Sequence, residues 1–193
     1  MGQLPHVQHW EALVLRSYRL FAAAEDQLEK SLAGQGDYEF ACLEALRSAM
    51  NASLFLYHFT DIAAARRLIP HLALPAVPTP QHVLVATRAK VTVALRASAP
   101  HTELYNRMLG EAANAIKHGV LDRATTFVDQ DGVALTIAGH AAENGEGKTN
   151  GGPQVLIRSE SRAGRPEQFY SLRAVLDAVI NAWCGLLLGL AKP

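Results

Sequence analysis

The chain has 193 residues, with 18 Lys and Arg against 18 Asp and Glu, so its formal net charge is zero. This balance excludes the broad basic surface of a general DNA-binding protein, although a local basic patch is compatible with it. The length suits one domain with a single core. With 32 Ala, 26 Leu and only 7% aromatic residues, the composition favours helices over an all-β fold.

The chain shows no sign of export or membrane insertion. Its N-terminus lacks the basic and apolar regions of a secretory signal. The most apolar stretch, residues 172–191, carries Arg173, Asp177 and Asn181 at helical spacing, which is typical of an amphipathic helix. The two cysteines are predicted to be free thiols, and no Cys or His spacing fits a metal site. We therefore expect a cytoplasmic protein with no membrane partner, no DNA footprint, no cofactor and no metal.

The first part of the chain predicts two helices. Apolar residues keep one face over residues 10–32, and Gly34 then ends the first helix. Asp37 is the predicted N-cap of a second helix, which runs toward Pro70. The predicted buried face of this second helix consists of large apolar residues: Phe40, Leu43, Leu46, Met50, Leu54 and Tyr57.

Residues 81–97 fit either a helix or a strand. Thr79-Pro80 resembles an N-cap followed by proline at the first helical position, whereas Val83, Val91 and Val93 favour a strand. We predict a helix, because the segment is longer than an ordinary strand. A further helix is predicted over residues 100–118.

The pattern changes to β after residue 120. Residues 124–128 and 133–138 alternate around a turn at 129–132, and residues 154–160 predict another strand. Phe169-Tyr170 is a candidate short strand, and Ser171 after it is the predicted N-cap of the last helix. Residues 139–153 are predicted to be a flexible loop.

The predicted architecture is a single mainly α domain over residues 1–193. A helical bundle (5–120 and 171–191) receives a small antiparallel sheet (123–170), made of a hairpin and one or two strands, before the C-terminal helix.

The predicted helix ending at residue 118 carries a polar stripe. Arg107, Glu111, Asn114 and His118 follow one another at helical spacing, and Lys117 lies at the edge. One interpretation is a site in which His118 acts as acid or base, Asn114 orients it, and Arg107 or Lys117 steadies an anion. The alternative is a solvated face with an Arg107–Glu111 ion pair.

Two further clusters are candidates. His58 and Asp61 are three positions apart, which fits a hydrogen-bonded pair or half of a metal site; local capping by Asp61 or Thr60 is the commoner explanation of such spacing. Arg66 is followed by His71 five positions later. Metal-independent RNA cleavage needs a base for the 2′-hydroxyl and cations near the phosphate, so an Arg and a His in proximity suit that chemistry.

The segment Ala113-Asn114-Ala115-Ile116-Lys117-His118, with His58 and Asp61 upstream, resembles a loose group of uncharacterised bacterial helical proteins with an ANA-x-KH motif. Residues 40–190 are similar in outline to HEPN-like domains. The resemblance implies a helical bundle that dimerises, and for many members metal-independent ribonuclease activity in toxin–antitoxin or phage-defence systems. Arg66…His71 has the spacing of the usual motif, but Arg67 stands where that motif carries Asn, Asp or His.

Three functions follow as hypotheses. The first is a HEPN-like protein that binds or cleaves RNA without metal. The second is a non-enzymatic module that pairs with itself or with another protein. The third is a helical bundle that binds a small molecule between its two polar clusters.

Overall fold

The computed structural model describes residues 5–118, 134–138, 152–159 and 168–187. These residues fold mainly as helices, with a small antiparallel sheet before the C-terminal helix, as the sequence predicted. The elements are α1 (Pro5–His9), a π-helical segment (Trp10–Leu15), α2 (Arg16–Leu32), α3 (Tyr38–Ala65), α4 (Pro80–Ser98), a 3₁₀ turn (Pro100–Thr102), α5 (Tyr105–His118), β1 (Leu135–Ala138), β2 (Gln154–Arg158), β3 (Phe169–Ser171) and α6 (Leu172–Leu186). Among the helices described, none has both the length and the apolar character needed to cross a bilayer.

The helix starts follow from local capping. The Asp37 side chain accepts a hydrogen bond from the backbone N–H of Phe40 at 3.1 Å, which starts α3. Thr79 and His82 form a reciprocal capping box at the start of α4, with Pro80 as its first residue. This cap confirms the helical prediction for residues 81–97. At the start of α6, the Ser171 side chain accepts a hydrogen bond from the backbone N–H of Ala174, as the predicted cap requires.

The sheet has the order β1-β2-β3 and both pairings are antiparallel. Thr136 lies opposite Leu156, and Ile157 lies opposite Tyr170. The predicted hairpin places its first strand and turn at residues 124–132, which lie outside the described residues. Most of the predicted flexible loop, residues 139–151, also lies outside them.

The core centres on Phe59 of α3. Its ring lies 4.8 Å from that of Trp10 and 5.1 Å from that of Trp183, centroid to centroid, and all three side chains are fully buried. Aromatic pairs at these separations stabilise the contact beyond simple area burial. The N-terminal segment, the second half of α3 and the C-terminal helix therefore meet at Phe59, which fixes this part of α3 in the bundle.

The prediction for the buried face of α3 was wrong in its first half. Phe40 and Leu43 are about two-thirds exposed, at 63% and 67%, and Met50 is also exposed. The face that packs inward consists of small residues: Ala41, Ala45, Ser48, Ala49 and Ala52. Small side chains let α2 and α3 approach closely. The helical period was predicted correctly, but the face assigned to the core was wrong.

The end of α3 also differs from the prediction. The helix stops at Ala65 instead of continuing toward Pro70. The backbone N–H of Leu68 donates to the carbonyl of Ala63 at 2.9 Å, and that of Arg67 donates to Ala64 at 3.1 Å. This is a Schellman cap, in which Arg67 takes the left-handed conformation (φ 50°) that usually falls to glycine. The chain therefore leaves the helix direction before it reaches His71.

Candidate functional site

Four polar side chains come together where α3 faces α4. Nδ1 of His58 lies 3.1 Å from Oδ2 of Asp61, one turn farther along α3. The guanidinium of Arg88, from α4, lies 3.6 Å from the other oxygen of Asp61 and donates a 2.8 Å hydrogen bond to the hydroxyl of Tyr57. We call Tyr57, His58, Asp61 and Arg88 the α3–α4 cluster.

The geometry of the α3–α4 cluster assigns the proton on His58. An ionised carboxylate only accepts hydrogen bonds, so Nδ1 of His58 donates to Asp61. In the neutral ring Nε2 then carries the lone pair, and a carboxylate that orients an imidazole in this way is a common arrangement for a general base. The side chains of His58 and Asp61 are each 43% exposed and that of Arg88 is 35% exposed. The pair is therefore accessible to a ligand from solvent.

Arg88 is held on several sides. Its guanidinium carbon lies 5.1 Å from the centre of the Tyr57 ring, a cation–π geometry. The amide of Asn106 donates to the carbonyl of Arg88 at 3.4 Å and so joins α5 to α4. Within the described part of the chain, the buried Nε of Arg88 has no hydrogen-bond partner. The Arg88 side chain is nonetheless 35% exposed, and a guanidinium held in place in this way is suited to an anionic ligand.

The charge around the cluster is positive, although the whole chain is neutral. Residues 55–102 contain five Lys or Arg residues and a single acidic residue, Asp61. Arg66 and Arg67 are exposed at the end of α3, close to the cluster in sequence. Arg96 pairs with Glu103, just beyond this segment, so residues 55–103 keep a net charge of +3, which favours anionic ligands.

Helix α5 closes against the cluster at Gly110. A Cβ atom placed on Gly110 would lie 2.8 Å from Cε2 of Tyr57, closer than real contacts allow. Glycine is therefore required there for the Tyr57 ring to pack against α5. Asn114 lies one turn beyond Gly110, about 6 Å along the helix axis, and is half-buried.

His9 adds a second imidazole that the sequence reasoning did not select. It is half-buried immediately before the π-helical segment, and its ring stacks on Phe59 at 6.2 Å. Burial lowers the pKa of His9, and the nearby charges of His58 and Arg66 lower it further. The sequence signal was its position beside Trp10, which anchors the segment in the core.

The remaining predicted residues divide into two groups. Arg107 donates to Glu111 at 2.8 Å on an exposed face, as the ion-pair interpretation of that stripe predicts. Lys117 is exposed, and His118 ends α5 with its side chain outside the described part. Arg66 caps α3, whereas His71 lies in the following connection at φ 54°, so these two do not share a helix.

A second charged group links α2 to α6. Arg173 forms a 2.6 Å ion pair with Asp26 and lies 3.6 Å from Glu25, while the hydroxyl of Tyr18 donates to Asp177. We call these five residues the α2–α6 network. Burial raises the pKa of Glu25, and the hydrogen bond from Val155 and the charge of Arg173 oppose that change. Burial, with the hydrogen bond to Asp177, raises the pKa of Tyr18 to about 12.

The α2–α6 network has a structural task. In β2, the N–H of Arg158 bonds toward β1 and the N–H of Ser159 bonds toward β3. Successive N–H groups of a strand alternate between its two sides, so the N–H of Val155 points toward β3. Leu156 pairs with Ser171, the last residue of β3, so the chain opposite Val155 already belongs to α6 and offers no strand partner. Glu25 accepts this N–H at 2.8 Å. The buried carboxylate thus replaces a missing strand partner.

The fold and the α3–α4 cluster define a class: a helical bundle with an inserted three-stranded sheet and an accessible His–Asp–Arg group. No protein-family model, curated protein or solved structure matches the chain. Function is therefore inferred from the residues of this chain alone.

Proposed function

We propose that the protein binds RNA at the α3–α4 cluster and cleaves it without a metal ion. The observation that carries the proposal is the partly exposed His58–Asp61 pair, with the guanidinium of Arg88 3.6 Å from the same carboxylate. A base and a fixed cation side by side are what phosphodiester cleavage requires. The basic segment 55–102 supplies the long-range attraction for a polyanion.

The proposed reaction uses the 2′-hydroxyl of RNA as nucleophile. Nε2 of His58 takes the proton from that hydroxyl as O2′ attacks phosphorus. The bond from phosphorus to O5′ breaks, and O5′ takes a proton from water. The products are a 2′,3′-cyclic phosphate and a 5′-hydroxyl, and His58 returns its proton to solvent. Arg88 offsets the charge that develops on the phosphoryl oxygens.

The HEPN-like resemblance supports the same function but assigns it to other residues. Its motif points to Arg66 and His71, and the polar stripe of α5 points to His118. We place the chemistry on His58 instead, because Arg66 and His71 are separated by the Schellman cap at Arg67. Asn114, one turn from the contact between Gly110 and Tyr57, is the α5 residue proposed to contact the ligand.

The test is an incubation of single-stranded RNA with the full chain in excess EDTA. We expect cleavage with cyclic-phosphate ends and no cleavage of DNA of the same sequence, because DNA lacks the nucleophile. His58→Gln is expected to slow the reaction at least about 100-fold. The matched control is His101→Gln, an exposed histidine next to Tyr105, which should retain the full rate.

Other results would redirect the proposal. RNA that is neither bound nor cleaved contradicts it entirely. RNA that binds and stays intact, with binding weakened by Arg88→Gln and not by Arg19→Gln on α2, contradicts cleavage and leaves a binding protein.

A second candidate is a non-enzymatic pairing module. It is favoured by the exposed apolar side chains of Phe40 and Leu43, because soluble monomers rarely present a row of such residues to water. Under this alternative the α3–α4 cluster is a surface ion-pair group, and the protein acts through assembly.

A further inference from the structure

The first half of α3 has two apolar faces of different kinds. Its inward face carries small residues that pack in the core. Its outward face carries large ones: Phe40, Leu43 and Met50 are exposed, and Leu54 is half-buried. An amphipathic surface helix normally turns its large apolar residues toward the core and its polar residues outward. The outward face of α3 instead presents large apolar residues to solvent.

The outward residues follow a heptad pattern. Phe40, Leu43, Arg47, Met50 and Leu54 are separated by three, four, three and four positions. This is the a/d spacing by which one helix packs along another of the same kind. We define Phe40, Leu43, Arg47, Met50 and Leu54 as the α3 seam. The seam continues at Tyr57, where the α3–α4 cluster begins and the other helices cover it.

The charges at the seam favour a second copy of the chain as its partner, since Arg47 belongs to the seam and Glu44 lies beside it. Glu44 and Arg47 are one turn apart and pair with each other at 2.6 Å on the exposed surface. In a two-fold antiparallel arrangement centred between them, Glu44 of each copy lies beside Arg47 of the second copy, so the contact forms twice. In the same arrangement Phe40 of each copy faces Asn51 of the second, so it lies within one residue of Met50. The surface is therefore complementary to itself in charge, and its apolar residues lie near those of the second copy.

We propose that the α3 seam is the contact surface of a homodimer in which two copies of α3 cross antiparallel. This inference deepens the pairing candidate and rests on it; it does not depend on RNA cleavage. The contact from Phe40 to Met50 spans about 15 Å of helix. So short a contact is at the low end of specific interfaces, so we expect a dimer with a micromolar dissociation constant.

The experiment is sedimentation of the full chain over a concentration series from low to high micromolar. We expect a monomer–dimer equilibrium in the wild type and a monomer throughout for Leu43→Glu. The matched control is Leu20→Glu on α2, where the side chain is similarly exposed at 57% but lies outside the seam. That control should dimerise like the wild type.

A charge exchange tests the antiparallel orientation. Glu44→Arg and Arg47→Glu alone should each weaken the dimer at least about tenfold, because like charges then meet twice. The double variant should recover most of the wild-type affinity, since the two charges have exchanged places.

Each negative result has a distinct meaning. A wild type that stays monomeric at every concentration overturns the inference, including the case in which another segment of the chain covers the seam. A dimer that Leu43→Glu leaves intact also overturns it. A dimer that Leu43→Glu breaks and the double variant does not restore keeps pairing at the seam but refutes the antiparallel arrangement. None of these results bears on RNA cleavage.

Discussion

The α2–α6 network and the α3–α4 cluster use the same side-chain chemistry for different ends. In the network, the carboxylate of Glu25 is buried and accepts a backbone N–H that no strand satisfies. In the cluster, the side chains of His58 and Arg88 are 43% and 35% exposed, so solvent reaches both of them. Burial converts a charged pair into a structural link, while partial exposure leaves it able to meet a ligand.

The largest expected difference is in stability. Glu25→Ala leaves the N–H of Val155 buried without its acceptor and removes one partner of Arg173, so we expect it to lower the free energy of unfolding by about 3 kcal/mol. Asp26→Ala removes an exposed partner of the same arginine and should lower it by less than about 1 kcal/mol. Urea denaturation of both variants measures the difference. Equal losses would show that the network is not the structural element described here.

The α3–α4 cluster should also depend on the packing of α5 against it, which a substitution that removes no charged group can test. Gly110→Ala introduces a methyl group against the Tyr57 ring and should lower stability by about 2 kcal/mol. Gly185→Ala is the control, because nothing lies within 4 Å of a Cβ there, and alanine in that helix should be neutral or slightly stabilising. Thermal unfolding compares the two. A tolerated Gly110→Ala would mean that α5 does not hold the tyrosine in place.

A smaller effect is expected from the pH dependence of Tyr18. Its pKa is raised from 10.0 to about 12, so the folded state holds the phenol proton more tightly than the unfolded state does. The resulting stability is complete below pH 10 and is lost as the pH rises through about 12. Tyr18→Phe should lower stability by about 1 kcal/mol at pH 8. It should also flatten the decline between pH 10 and 12, which denaturation at several pH values would reveal; an unchanged decline would assign it to another group.

Local signals in the sequence predicted the fold well. Asp37, Thr79-Pro80 and Ser171 were identified as helix starts because a cap involves residues only three positions apart. The direction of α3 was not predictable in the same way. Small and large apolar residues recur with the same period on its two faces, and only the close approach of α2 decides which face turns inward.

The candidate site was predictable in part. The His58–Asp61 pair lies within one helical turn, so its spacing was visible in the sequence. Arg88 lies 31 positions from Tyr57 and joins the site only through packing. His9 likewise gains its environment from α3. Long-range partners of this kind follow from tertiary structure, which no local pattern encodes.

The central claim is that the α3–α4 cluster acts on RNA. Its most direct test measures both catalysis and stability in the same variant. The rate constant for RNA cleavage in EDTA and the free energy of unfolding should both be measured for the wild type and for His58→Gln. We predict a rate at least about 100-fold lower with stability changed by less than about 1 kcal/mol, because the side chain is exposed. An unchanged rate, or a loss of rate that only follows a loss of folded protein, would contradict the claim.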